Sequence, residues 1–276
     1  LFHTFSMIMK TDPNKLFRLD NRVIIVTGGS GLIGSEILRQ LPMLGAKVIV
    51  GVRNTDKFND QVRSMSFPGD CLEPFCYELD ISNHLSVQSF FTKVINDFGK
   101  VDVLINNAFP KTKDWSALFE DVKPSSLYKN LCDHAGGYFL CCQETATYMK
   151  KQKNGVILNV GSIYGKVGPH FPIYEETSMT SASAYSLIKG GIHTFTKYLA
   201  TYLAPHNIRV NCISPGGLQD DSYQDPEFIN NYKENTPLGR MAEPEDIIGP
   251  VIFMISDASK YVTGEILMVD GGWTAW

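Results

Sequence analysis

The 276-residue sequence predicts one α/β domain: a doubly wound, all-parallel sheet of strand order 3-2-1-4-5-6-7 with helices on both faces. Three observations carry that expectation. Short β-branched runs alternate with helical patterns along nearly the whole chain, and such alternation demands parallel pairing through right-handed crossovers. Most strands read as continuous apolar runs, as strands covered on both faces do. No internal repeat or low-complexity linker divides the chain, and 43% apolar against 20% charged residues suits one sizeable core.

Residues 1–19 precede the pattern and are expected to be a frayed N-terminal extension to a domain spanning 20–276. Val23 to Val26 is the first strand, ending at Thr27-Gly28-Gly29. Ile33, Ile37, Leu41 and Leu44 then recur at helical spacing, and Gly45 closes that helix. Lys47 to Val52 is a second strand, and Phe75 to Leu79 a third that stops at Asp80. Ser82 to Phe98 reads as a helix capped by Ser82 or Asn83. Val101 to Ile105 makes the fourth strand and runs into Asn106-Asn107-Ala108. One long helix is expected from Ser125 to Lys150, then a fifth strand from Gly155 to Val160. A second long helix covers Ala182 to Ala204, followed by a sixth strand from Ile208 to Ile213. Pro244 opens a helix to Ser256, and Glu265 to Val269 is the last strand, before Asp270-Gly271-Gly272.

Charge and composition narrow the function classes. A net charge of −4 gives no footprint for nucleic acid or anionic lipid. No apolar run reaches the ~18–20 residues that span a bilayer. Leu1 to Ile8 is too short for a signal-peptide core. Cys71, Cys76, Cys132, Cys141, Cys142 and Cys212 lack metal-ligand spacing and read as reduced, small hydrophobes, which points to a cytoplasmic protein without a metal.

The chemistry-bearing motifs all fall at the carboxyl ends of strands, where open α/β sheets gather ligands. Gly28, Ser30, Gly31, Leu32, Ile33 and Gly34 link the first strand to the first helix, the Rossmann-type arrangement for a dinucleotide. Glycine there permits a tight turn and close approach of a pyrophosphate, and the helix N-terminus offers free N–H groups. The second strand ends in Val52-Arg53-Asn54, with no acid to bind a ribose hydroxyl. Arg53 suits a 2′-phosphate through a charge-assisted contact, so the reading prefers NADP, with NAD as the alternative. Tyr185 and Lys189 lie one helical turn apart. A neighbouring ammonium, together with an oxidised nicotinamide, would pull the tyrosine pKa down from ~10 toward working pH. Ser162 follows the fifth strand, placed to hydrogen-bond a substrate carbonyl that Tyr185 protonates.

These motifs, with Leu79-Asp80, Asn106-Asn107-Ala108, Asn211-Cys212-Ile213-Ser214-Pro215-Gly216 and Val269-Asp270-Gly271-Gly272, resemble the short-chain dehydrogenase/reductase family over about residues 20–276. The resemblance implies hydride transfer between a nicotinamide and a carbonyl or alcohol through Ser162, Tyr185 and Lys189. It implies that Asp80 and Ile81 flank the adenine, and that Asn106, Asn107 and Ala108 line the cofactor groove. Pro215, Gly216 and Leu218 would border the nicotinamide and open a substrate lid over about 217–240. A homodimer or homotetramer built on the long helices is also implied.

The chain departs from the family pattern in places. His134 stands where the family carries a catalytic asparagine, and is read as its replacement in a proton relay. Asp220 stands five residues after Pro215, where a threonine is common. The glycine spacing and the 23 residues between Ser162 and Tyr185 are those of the extended branch of the family, which keeps nucleotide-sugar epimerases and dehydratases with retained NAD as an alternative. A non-catalytic nucleotide sensor is a second alternative, disfavoured by the intact Tyr/Lys pair. The insertion 164–180 carries His170, Tyr174, Glu175 and Glu176, and is read as too polar for a core element. With Lys111, Lys113 and Trp115, it suggests a polar, sugar-like substrate bound through hydroxyls, with or without a phosphate. The same features resemble bacterial members assigned to flagellin modification and nonulosonic-acid sugar pathways.

Overall fold

A computed structural model describes residues 12–63, 67 and 71–276. The chain runs α1 (Pro13–Leu16), β1 (Val23–Thr27), α2 (Leu32–Gln40), β2 (Lys47–Val52), α3 (Thr55–Arg63), β3 (Phe75–Glu78), α4 (His84–Phe98) and β4 (Val103–Asn106). It continues through α5 (Pro124–Asn130), α6 (Gly137–Gln152), β5 (Gly155–Val160), α7 (Ser183–Leu203), β6 (Ile208–Pro215), α8 (Pro226–Glu234), α9 (Pro244–Ile255) and β7 (Ile266–Val269). The strands form one parallel seven-stranded sheet in the expected order 3-2-1-4-5-6-7. Of the expected N-terminal extension, residues 1–11 lie outside the described residues. Leu19, at its end, is fully buried, and its N–H donates to Leu44 O at 2.9 Å.

Each face of the sheet holds its own core. α4, α6 and α7 cover one face with Phe91, Tyr138, Met149 and Ile188, while α2, α3 and α9 cover the other with Ile37, Leu38, Phe58 and Val251. Burial on both sides is what the unbroken apolar runs of β1 and β2 encode. Among the described residues, no helix is long and apolar enough to cross a membrane.

Four details differ from the sequence expectations. β4 starts two residues late, because Asp102 turns its carboxylate to accept the Val23 N–H (2.8 Å) and Val101 N–H donates to the Gln152 side chain (3.0 Å). The long helix expected from Ser125 to Lys150 is α5 and α6 joined by a π-helical turn, Leu131–Gly136. α3 and α8 were not anticipated. Both carry few apolar residues, so little helical periodicity marks them.

The insertion 164–180 departs furthest. Ile173 is 1% exposed and packs with Ile163, Phe228, Ile229, Tyr232, Met241 and Trp273 in a third small core above the sheet. Tyr174 stacks on Phe228 of α8 at 5.3 Å, so the insertion and α8 pack as one unit. One buried isoleucine and its aromatic neighbours outweigh the polar composition that suggested a surface loop.

Candidate active site

The carboxyl ends of the inner strands border one cleft of about 640 Å³. Gly28, Ser30, Gly31, Leu32, Ile33 and Gly34 line one end. Gly28 holds φ at 73°, and a Cβ there would stand 2.6 Å from Ala108 Cα, so a side chain is excluded twice over. Gly31 caps α2 without a side-chain bond, which leaves the first N–H groups of that helix free for a phosphate. Asn107 braces the turn: its Nδ2 donates to Gly28 O at 2.6 Å and its backbone N–H donates to Thr27 Oγ1 at 3.0 Å. Arg53 at the end of β2 is exposed and lines the cleft, as do Asp80 and Ile81 after β3 and Ala108 after β4. Pro215, Gly216 and Leu218 line the opposite wall. The glycine turn, open helix end and Arg53 together fit a dinucleotide.

Asn106 departs from the expectation drawn from resemblance. It is fully buried beneath the groove, and its Nδ2 donates to Asn159 Oδ1 at 2.9 Å. It ties β4 to β5 because its side chain points away from the carboxyl edge that Asn107 and Ala108 reach.

Ser162, Tyr185 and Lys189 converge at the Pro215 side of the cleft. β5 ends one residue before the Gly161-Ser162 turn, and α7 presents Tyr185 and Lys189 on one face. The Ser162 hydroxyl lies beside Tyr185 in the cleft lining, and its Oγ accepts from Tyr164 N–H at 3.2 Å. Lys189 is 3% exposed; its Nζ donates to Val160 O at 2.7 Å and lies 5.4 Å from the Tyr185 ring centre.

Burial pushes the Lys189 amine down to about 7. It raises the Tyr185 phenol, and the Ser162 hydroxyl offsets part of that rise. The sequence expectation of a lowered tyrosine is therefore not met by the chain on its own. Burial penalises the phenolate. The lysine shift has a consequence for stability. Between about pH 7 and the ordinary lysine range near 10.5, the unfolded chain binds more protons at Lys189 than the folded one. Stability therefore rises with pH through that window, and the penalty is complete below it. Lys189→Met is expected to flatten the rise, checked by urea unfolding of both proteins from pH 6.5 to 10. An unchanged slope would refute the buried-amine account.

His134 sits in the π-helical turn, fully buried, with no protein hydrogen-bond partner for either ring nitrogen among the described residues. Its ring lies 5.2 Å from both Phe109 and Tyr138. Burial, then the nearby Lys189 charge, hold its pKa well below the ordinary value, so the imidazole is neutral.

The mouth of the cleft is more aromatic than the sequence suggested. Phe109, Trp115 and Tyr164 pack around Tyr185 with ring centres 5.5, 5.9 and 6.3 Å away. Of the polar candidates, Lys111 and Asp220 line the cleft, whereas Lys113, His170, Glu175 and Glu176 do not. His170 instead faces Trp273 at 6.5 Å. The third core turns the insertion outward and leaves Tyr164, at its start, facing the cleft. Phe109 and Tyr223 also line the cleft and were not anticipated. Only the position of Phe109 immediately after Asn107-Ala108 could have flagged it.

The profile described as enoyl-(acyl carrier protein) reductase matches residues 30–274. A flagellin modification protein A of Campylobacter coli, described as post-translational, is 33% identical over 92% of this chain and 99% of its own length. The chain belongs to the short-chain dehydrogenase/reductase family. A crystal structure of a short-chain dehydrogenase from Leptospira borgpetersenii with bound NAD+ is 36% identical, with a TM-score of 0.83 and coverage of 99% of this chain and 100% of that one. A 3-oxoacyl-[acyl-carrier-protein] reductase of Thermotoga maritima is 32% identical over 92% of this chain and 98% of its own. This short-chain dehydrogenase is thus an oxidoreductase of a nicotinamide-dependent family, built on the family's Rossmann-type sheet.

Proposed function

We propose that this chain is an NADP(H)-preferring carbonyl reductase or alcohol dehydrogenase acting on a polar, sugar-like substrate. The observation that carries the reading is the convergence of Ser162, Tyr185 and Lys189 at one end of a cleft whose other end fits a dinucleotide. Bound there, the nicotinamide supplies or accepts the hydride. Ser162 orients the substrate oxygen by hydrogen bonding, and Tyr185, protonated in the resting protein, donates a proton to it during reduction. Lys189 steadies the phenolate that forms, a role that strengthens when that negative charge appears beside the amine. His134, neutral and without a hydrogen-bond partner among the described residues, is proposed to hold water that returns the proton from solvent toward Lys189.

NADP rests on Arg53 and the absence of an acid at the end of β2; the relative with bound NAD+ makes NAD the alternative to be tested. The sugar-like substrate rests on Lys111 and Asp220 at an aromatic mouth, and on likeness to the Campylobacter coli flagellin modification protein. Rings stack on the apolar face of a pyranose, while the charged pair meets its hydroxyls or a phosphate. A panel of keto-sugars, 3-oxoacyl thioesters and steroid ketones, read by NADPH oxidation, tests this. Keto-sugars are expected to lead in kcat/KM by about tenfold or more; a lead for the acyl thioesters would overturn the substrate class and leave the chemistry standing.

A cytoplasmic location rests on the six free cysteines. A homo-oligomer rests on an exposed aromatic ladder across α6 and α7, where Phe139, Phe195, Tyr198 and Tyr202 stack with ring centres 5.6, 6.4 and 5.9 Å apart in turn. Light scattering is expected to give a dimer or tetramer, and Tyr198→Glu to shift it toward the monomer. A wild-type monomer at micromolar concentration would overturn this reading.

A further inference from the structure

His193 has no part in the chemistry just described, yet it lies two helical turns beyond Tyr185 and one beyond Lys189 on the same face of α7. It is 8% exposed, and its Nε2 is 2.7 Å from Ser214 Oγ, itself fully buried. Burial first, then Lys189, lower its pKa, so the ring is neutral.

The ring is enclosed by the two glycines that bracket Ser162. A Cβ on Gly165 would stand 2.6 Å from His193 Cε1, 2.8 Å from Nδ1 and 2.7 Å from the Lys189 carbonyl oxygen. A Cβ on Gly161 would stand 2.8 Å from His193 Nε2 and 2.6 Å from both Ser214 Oγ and Cys212 Sγ. Contacts this short are closed to any side chain. The backbone of the 161–165 turn therefore rests directly on the imidazole. Ser214 leads straight into Pro215 and Gly216, which line the cleft opposite the glycine turn.

We propose that His193 is the positioning residue for Ser162. Its ring forms the floor of the 161–165 turn and, through Ser214, fixes that turn to the Pro215–Gly216 wall. The Ser162 hydroxyl is thereby held at one distance from Tyr185. This inference rests on the reading of Ser162 and Tyr185 as the reacting pair. His193 is not itself among the cleft-lining residues, and its closest neighbours are the turn, which does line the cleft, and Ser214, so it acts through the turn. A loss of alignment of about 1 Å at a reacting group can cost about a hundredfold in rate.

Three variants test the proposal. His193→Leu keeps much of the volume and removes the polar atoms; His193→Gln returns a hydrogen-bonding atom within reach of Ser214; Ser214→Ala removes one oxygen. His193→Leu and Ser214→Ala are expected to lower kcat about tenfold or more with NADPH affinity unchanged, and His193→Gln to recover most of the loss. A merely structural role would not give rescue by glutamine at equal thermal stability. Wild-type kcat in His193→Leu, or in Ser214→Ala should the leucine variant fail to fold, would overturn the proposal. So would a glutamine variant no better than leucine. If the wild type itself reduces no carbonyl, the functional reading fails separately, and amide exchange decides the positioning role. The Gly161, Gly165 and Lys166 N–H groups bond Ile213, Ser162 and Ile163 carbonyls and should exchange faster in Ser214→Ala while β1 stays protected. Unchanged exchange there would overturn the bridge.

Discussion

Tyr185→Phe should lower turnover by about 10²–10⁴-fold while leaving cofactor affinity nearly intact. The phenol lies beside the Ser162 hydroxyl, which offsets part of the rise that burial imposes, and it stands 5.4 Å, ring centre to Nζ, from the buried Lys189 amine. Burial keeps it protonated in the resting protein, so it enters a reduction as a ready acid. Phenylalanine preserves the ring contacts with Phe109, Trp115 and Tyr164 and deletes the transferable proton alone. Single-turnover hydride transfer by stopped flow separates this step from binding and release. A near wild-type rate in the variant would reject Tyr185 as the acid, and His134 or a solvent path would have to supply the proton. The raised phenol also predicts direction-dependent pH behaviour. Reduction needs the protonated form that burial favours, whereas oxidation needs the phenolate and should gain as pH rises.

The second large effect concerns the other end of the cleft. Arg53→Ala should weaken NADPH binding roughly ten- to a hundredfold, since a hydrogen bond to a charged group contributes about 1.5–3 kcal/mol. NADH binding should change little. Arg53 is exposed at the end of β2, so the contact forms in partial competition with water and salt, and the effect should shrink at high ionic strength. Calorimetry with both cofactors on wild type and variant decides it. Tighter binding of NADH than NADPH by the wild type would reject the assignment outright, and would bring this chain into line with the Leptospira relative that was crystallised with NAD+.

Most of the sheet was legible because its signals are local. β1, β2 and β5 are runs rich in β-branched residues, and their ends fall within a residue of expectation. The Tyr185–Lys189 spacing and the Gly28–Gly34 turn are likewise local, since one helical turn or one strand–helix junction sets their geometry. The same spacing argument, carried one more turn, reaches His193. What it could not reveal was that Gly161 and Gly165 lie against that ring, because the contact joins segments about 30 residues apart.

The sequence by itself therefore determined the strand order, the glycine turn after β1 and the placing of Tyr185 and Lys189 on one face of a helix. Tertiary structure alone decided the environments. It buried Lys189 and so lowered its amine, and it raised Tyr185 in the chain on its own, whereas the fall anticipated from sequence counted an oxidised nicotinamide as well. It also enclosed His134 without a hydrogen-bond partner among the described residues and placed Ile173 in a third core that turns the polar residues of the insertion away from the cleft. The reason is physical. Periodicity and spacing are properties of neighbours along the chain, whereas desolvation and contact depend on which distant segments arrive to exclude water.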